Sequence, residues 1–165
     1  MTQGTAAAAG KKVDVARFEE YLDRAAHEVF STMMGVGCAP VRREAGGDEE
    51  SISAVIGLAG ALSGSLVLHT SGRAAMRMAE KMMGTAPEEV DEMVRDALGE
   101  VCNMVAGAWK GIDPWLASGC LLSTPTVVAG TSYELFSQKA PIRIERGYLF
   151  EELTFAVTIS CEPQG

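Results

Sequence analysis

The fold is decided by residues 87–110, which are PEEVDEMVRDALGEVCNMVAGAWK. Apolar residues recur there at steps of three and four, and this spacing predicts an amphipathic helix. Pro87 suits a first helical position, where a missing N–H costs nothing, and the acidic residues after it suit the positive end of a helix. We predict one long helix from about Pro87 to Lys110, ended by Gly111 and Pro114. Its apolar stripe comprises Met93, Val94, Ala97, Val101, Met104, Val105 and Ala108.

The segments on either side of this helix predict further helices and a sheet. Helical spacing recurs from Val13 to about Gly35 and from Arg73 to Met83. Strand-like segments, rich in β-branched and aliphatic residues, are 52–58, 65–69, 118–129, 141–145 and 150–160. The first two predict a hairpin. Together the segments predict an α+β domain in which long helices pack on one face of a mostly antiparallel sheet.

Two parts of the chain repeat each other weakly. Residues 28–35 and 100–107 share Glu, Val and a closing Gly in register, 72 residues apart. Leu58-Ala-Gly60 and Val128-Ala-Gly130 each precede strand-like segments, 70 residues apart. Because two matches occur at nearly the same offset, we predict duplicated halves related by a pseudo-two-fold axis.

Length and composition bound the class of protein. The chain has 165 residues, of which 47% are hydrophobic, and this suits one compact domain. We predict that residues 1–12, which are rich in Ala and Gly and lack periodicity, form a disordered tail, and that residues 13–162 form the domain. We expect no signal peptide, and no apolar run in the sequence reaches the roughly 18 residues that a membrane helix needs. We therefore expect a cytoplasmic protein with no membrane partner.

Charge and cysteine content exclude two further classes. A net charge of −8 with scattered basic residues argues against nucleic-acid binding, which relies on clustered Lys and Arg. The four cysteines lie far apart, without a C-x-x-C pair, and only two histidines accompany them. This pattern predicts reduced, buried thiols and no metal site in this chain.

One row of residues on the long helix faces away from the apolar stripe. Asp96, Glu100, Asn103 and Gly107 are spaced four, three and four apart, which places them within an arc of about 60°. A glycine inside a helix costs about 1 kcal/mol relative to alanine, and close approach of a partner is one reason to keep it. On geometry alone, a solvated helix face is the more common explanation of such a row.

A family resemblance changes this balance. Asp96-x3-Glu100-x2-Asn103, followed by Pro125, resembles the signature of the CheC/CheX/FliY chemotaxis phosphatases. Supporting stretches at residues 29–35, 56–68, 82–84 and 125–130 are also similar, and the resemblance covers about residues 13–160.

The first helix carries an altered copy of the same signature. Glu28 is retained, but Ser31 stands in the place of Asn103 and Arg24 stands where the leading acidic residue would be. The resemblance therefore implies that this half-site does not work. The chain resembles the single-site CheX branch more than two-site CheC.

The resemblance implies a phosphatase that hydrolyses the aspartyl phosphate of a CheY-like response-regulator receiver domain. Glu100 and Asn103 would be catalytic: Asn103 would place the attacking water and Glu100 would pair with a receiver lysine. Asp96 and Gly107 would contact the substrate protein. For Asp96 two roles stay open, either steering the basic rim of the receiver or only solvating the helix.

The same resemblance implies a homodimer, and it places the divalent metal, Mg²⁺, in the receiver rather than in this chain. The alternative function is a non-catalytic module of the same fold that binds receivers or assembles at a flagellar switch.

Overall fold

The computed structural model describes residues 12–42, 50–135 and 139–164. Within these ranges the chain forms four α-helices, one π-helical turn and seven strands. The helices are α1 (Val15–Val29), α2 (Gly72–Met83), α3 (Glu92–Ile112) and α4 (Pro114–Gly119), and the π-helical turn (Phe30–Met34) continues α1. The strands are β1 (Ala39–Val41), β2 (Ser51–Gly60), β3 (Leu62–Ser71), β4 (Cys120–Leu122), β5 (Thr126–Gly130), β6 (Ile142–Phe150) and β7 (Leu153–Pro163). The predicted tail lies outside the described residues, except for Lys12.

The strands form a single antiparallel sheet. Its order is β1-β6-β7-β3-β2-β4, and β5 also pairs with β2. β4 and β5 lie one after the other along the same edge of β2, so β5 and β6, which are successive in sequence, are separated in the sheet by β2, β3 and β7. The predicted α+β fold with a mostly antiparallel sheet is confirmed, whereas the duplication of its halves stays a prediction.

One face of the sheet and the long helix α3 form the core. Alternate residues of β2, among them Ile52, Ala54 and Ile56, are fully buried against the helices. Trp109 of α3 is also fully buried; its Nε1 donates to the carbonyl of Phe18 at 3.2 Å, and the two rings meet edge-on at 5.3 Å. α3 therefore lies fixed between the sheet and α1, with α2 beside it.

The ends of α3 differ from the prediction. The helix begins at Glu92, because Asp91 is its N-cap and accepts the N–H of Val94 at 3.0 Å. It runs through Gly111 to Ile112, and Pro114 starts α4 instead of merely ending α3. Proline suits a first helical position, and here it marks a second helix.

The predicted strand 118–129 is interrupted. It comprises the end of α4, then β4 and β5, with residues 123–125 between the strands. Leu58 pairs with Leu122 and Val55 pairs with Thr126. The three residue steps between the paired positions of β2 thus lie opposite four residue steps from β4 to β5, which is a bulge of one residue. The hydroxyl of Ser123 accepts the N–H of Gly57 at 2.8 Å and fixes the bulge.

All four cysteines are buried, as predicted, and none of them is in a disulfide. No helix in the described ranges is both long enough and apolar enough to span a membrane.

Candidate functional site on helix α3

The row predicted from the sequence lies on the exposed side of α3. Asp96, Glu100 and Asn103 are exposed, and Gly107 is partly exposed. Among the residues that the structure describes, no side chain forms a hydrogen bond or an ion pair with any of the first three. Their polar groups therefore stand available to solvent or to another molecule.

The opposite side of α3 fixes the row in place. Its buried residues are Val94, Ala97, Leu98, Gly99, Val101, Cys102, Val105, Ala106 and Trp109. The thiol of Cys102 lies 3.6 Å from the carbonyl oxygen of Ala54 in β2, and Lys110 donates to the carbonyl of Cys120 in β4. Since the helix is attached along its length, the exposed side chains project from a rigid support.

Pro125 lies beside this row. A Cβ atom built on Gly99 would lie 3.4 Å from Cγ of Pro125 and 3.5 Å from Cγ2 of Val127. The bulge between β4 and β5 thus packs against α3 next to Glu100. Pro125 was predicted from the sequence and Gly99 was not, although a glycine in mid-helix directly before Glu100 is a signal for this contact.

Gly107 has a different environment from Gly99. A Cβ atom built there would meet no atom within 4 Å, and the same is true of Gly111 one turn later. Packing within the described part of the chain therefore gives no reason for a glycine at either position. The surface beyond Asn103 is open.

Met93 departs from its predicted place in the apolar stripe. The structure leaves 57% of this residue exposed, whereas Val94, Ala97, Val101 and Val105 are buried as predicted. Met93 lies at the margin of the stripe, on the side of Glu100, whereas the buried residues lie further round the helix. The apolar surface of α3 therefore reaches into the polar row.

The exposed side of α3 is acidic. Glu92, Asp96 and Glu100 are exposed, whereas the guanidinium of Arg95 donates to the carbonyl of Val90 at 3.3 Å. In the described part of the chain, no group of three or more His, Cys, Asp or Glu side chains is arranged to hold a metal ion. The face offers carboxylates to a basic partner.

The altered copy in α1 has another local geometry. Glu28 and Ser31 are exposed, but Ser31 belongs to the π-helical turn. Its hydroxyl lies 3.4 Å from Nε2 of His27, whose Nδ1 lies 3.2 Å from the carbonyl oxygen of Cys38. Residues 28–34 therefore do not reproduce the regular α-helical spacing of residues 100–106.

The polar residues exposed on α3 can position another molecule through hydrogen bonds and charge. An amide such as Asn103 can donate and accept hydrogen bonds at the same time, and a carboxylate such as Glu100 can bind a cationic group. Both stand on a convex, rigid helix, which suits insertion into the surface of another macromolecule.

Comparisons with known proteins agree with one another. The family model described as "Chemotaxis phosphatase CheX" matches residues 52–145. The CheY-P phosphatase CheX of Thermotoga maritima is 31% identical over 120 residues, which are 70% of this chain and 74% of that protein. The crystal structure of the chemotaxis protein CheX from Vibrio vulnificus has a TM-score of 0.79 and 25% identity, and the match covers 92% of this chain and 100% of that one.

A solved complex has the same fold. The structure of the CheX–CheY–BeF3–Mg complex from Borrelia burgdorferi matches with a TM-score of 0.69 and 20% identity, covering 92% of this chain and 99% of that one.

Proposed function

Because this chain belongs to the chemotaxis phosphatase CheX family, we propose that it hydrolyses the aspartyl phosphate of a CheY-like response-regulator receiver domain. The observation that carries the proposal is the pair Glu100 and Asn103, exposed and without a side-chain partner in the described structure, on a helix that is fixed from behind. The name of the Thermotoga maritima relative, a CheY-P phosphatase, supports the reaction class.

Asn103 is the residue that we assign to the attacking water. Hydrolysis of an acyl phosphate needs a water molecule in line with the leaving oxygen and stabilisation of charge on the phosphoryl oxygens. A neutral amide can hold such a water through both a donor and an acceptor, and it does not titrate near pH 7. The gain in rate comes from positioning, so no group with a shifted pKa is required.

Glu100 is assigned to docking. One turn before Asn103, its carboxylate can form a charge-assisted pair with a lysine of the receiver, and this pair would set the register of the inserted helix. Asp96 extends the acidic row away from the reaction, and the open surface at Gly107 admits the receiver close to the helix.

The charge on the phosphoryl group is neutralised by the receiver. The Borrelia burgdorferi complex contains Mg together with CheY and BeF3, which supports a magnesium ion on the receiver side. This chain then contributes position and no cofactor of its own.

The proposal is tested with the full chain and phosphorylated receiver domains from the same organism. Loss of phosphate is followed for the wild type, for Asn103→Ala and for the control Ser31→Ala at the matching position of α1. We expect the wild type to accelerate the loss, Asn103→Ala to lower kcat at least about 100-fold with KM little changed, and Ser31→Ala to match the wild type. Equal decay with and without the wild type, for every receiver, contradicts the proposal.

The non-catalytic alternative gives a different result in the same experiment. A pure binding module would form a complex with a receiver without shortening the lifetime of the phosphate, and Asn103→Ala would change nothing. The exposed amide favours the enzyme, because a binding surface has no need for a water-positioning group beside an open glycine.

We further propose that the protein is a cytoplasmic homodimer. β1 covers only Gly147–Leu149 of β6, so within the described residues the edge of β6 from Ile142 to Arg146 has no strand beside it. Such an edge can pair with a second copy. Sedimentation analysis at micromolar concentration should give twice the monomer mass, and a monomer at that concentration would contradict the dimer.

A further inference from the structure

Met93 is a large apolar side chain that folding leaves in solvent. It is 57% exposed, more than Met33 at 45% or Met83 at 38%. Scattered exposed apolar residues are ordinary on protein surfaces, so exposure alone has no meaning. The position of Met93 relative to the proposed site is what distinguishes it.

Met93, Glu100 and Gly107 follow one another at intervals of seven residues. Seven residues are nearly two helical turns, so each lies about 10 Å along the axis from the next and is rotated by only about 20°. The three residues therefore lie on one face of α3. A partner that contacts Glu100 and passes close to Gly107 along this face also meets Met93.

The charges around Met93 decide what can cover it. Glu92 is its chain neighbour and Asp96 lies one turn further on; both are exposed, and neither has a side-chain partner in the described structure. The one basic residue between them, Arg95, donates instead to the carbonyl of Val90. A second copy of this chain would oppose these carboxylates with its own, whereas a surface with basic groups is complementary.

We propose that Met93 is an apolar anchor of the receiver-docking surface and inserts into an apolar pocket bordered by basic groups, two helical turns from Glu100 and nearly three from Asn103. This inference rests on the proposed function, because the receiver is the occupant. A thioether chain without branches adapts to an irregular pocket, and anchors of this kind dominate the affinity of an interface when they are fully desolvated. Met93 is a docking residue and takes no part in the chemistry.

Binding is measured apart from turnover. The full chain is titrated into a receiver of the same organism whose aspartate carries beryllium fluoride, with Mg²⁺ present. We expect Met93→Ala to raise Kd about ten-fold and the matched control Met83→Ala, an exposed methionine on α2, to leave Kd within about two-fold of the wild type. Met93→Leu should restore most of the affinity, since it keeps the apolar volume.

Two further readouts separate an anchor from a structural residue. In turnover with phosphorylated receiver, Met93→Ala should raise KM and leave kcat unchanged. Added salt should weaken the wild type and Met93→Ala with the same slope, because the substitution removes no charge.

The outcomes distinguish this inference from the proposed function. If the wild type accelerates phosphate loss while Met93→Ala binds as tightly as the wild type, the anchor is wrong and the phosphatase stands. If the wild type binds the beryllofluoride receiver but never accelerates phosphate loss, the phosphatase is wrong, and the Kd of Met93→Ala still decides the anchor. If the wild type binds none of the receivers, the docking surface itself is wrong.

Discussion

At the level of single residues, the proposed mechanism assigns docking to Glu100 and water positioning to Asn103. If these roles are right, removal of the Glu100 carboxylate leaves a lysine of the receiver without its partner but does not disturb the Asn103 amide. We expect Glu100→Ala to raise KM about ten-fold while kcat changes less than about three-fold, as steady-state rates at varied receiver concentration will show.

Glu92→Ala is the matched control for this substitution. It removes an exposed carboxylate from the same helix, two turns before Glu100. Its KM should change less than that of Glu100→Ala. A fall in kcat at unchanged KM for Glu100→Ala would contradict the division of roles.

Single residues also show what the sequence can and cannot reveal about the site. The polar row was predictable, because charged side chains mark the exposed arc of an amphipathic helix. Met93 was misplaced, because it lies at the margin of the apolar arc, where the depth of the neighbouring core and not the period decides exposure. The contact of Gly99 with Pro125 joins residues from separate elements, and helical spacing carries no information about it.

At the level of the helix, alanine at either of two open glycines should raise stability, and at one of them it should also weaken receiver binding. Because a Cβ at Gly107 or Gly111 would meet no atom within 4 Å, Gly107→Ala and Gly111→Ala should each stabilise the fold by about 0.5–1 kcal/mol through helix propensity alone. Only Gly107 lies one turn from Asn103. Gly107→Ala should therefore also weaken receiver binding several-fold.

Urea unfolding and receiver titration of the two glycine variants test this pair. Gly111→Ala is the control, since it should gain the same stability with a smaller loss of affinity. Full activity in a stabilised Gly107→Ala variant would show that no partner approaches closely at that point.

The π-helical turn after α1 predicts that the altered half-site cannot be restored by one substitution. Hydrogen bonds of the i to i+5 type widen the helix. The position of Ser31 relative to Glu28 therefore differs from the position of Asn103 relative to Glu100. We expect Ser31→Asn to return no measurable phosphatase activity to an Asn103→Ala chain. Recovery of even one tenth of the wild-type rate would show that the turn re-forms as a regular helix.

Element boundaries were predictable where one signal dominated. The left-handed Gly84 ends α2 where the sequence placed the end. At α3 the prediction started the helix at Pro87, but the carboxylate of Asp91 caps the helix four residues later. The bulge at residues 123–125 depends on pairing with β2, which is remote in sequence, so local β propensity predicted one continuous strand.

At the scale of the whole molecule, long-range pairing is what the sequence did not reveal. Period and propensity predicted the helices and most strands, but the position of β5 beside β2 and the return of the chain to β6 are set by global packing. Contacts such as that between Asp23 of α1 and β6 belong to this level: its carboxylate accepts from Arg146 at 2.6 Å and from Tyr148 at 2.7 Å.

The buried cysteine thiols and the Tyr148 hydroxyl should make the whole fold less stable at alkaline pH. Burial raises the pKa of Cys38 and of Cys102 from 9.0 to about 12, and that of Cys161 to about 11; a smaller effect of Asp23 adds to the rise at Cys38. Burial, with Asp23 beside the hydroxyl, also raises the pKa of Tyr148. At a pH between the unfolded and the folded pKa of each group, the folded chain keeps a proton that the unfolded chain releases.

The sign of the pH effect follows from these raised pKa values. These groups leave the free energy of unfolding nearly unchanged below about pH 8.5. Above its unfolded pKa, which is 9.0 for the thiols and 10.0 for Tyr148, each retained proton lowers that free energy by about 1.4 kcal/mol per pH unit toward the folded pKa. Urea unfolding under reducing conditions should therefore give a flat midpoint up to about pH 8.5 and a steep fall above it. Cys102→Ala, although less stable at neutral pH because of the cavity it leaves, should show a shallower fall. A midpoint as high at pH 10.5 as at pH 7.5 would contradict this prediction, because it would mean that the folded and unfolded chains release these protons over the same pH range.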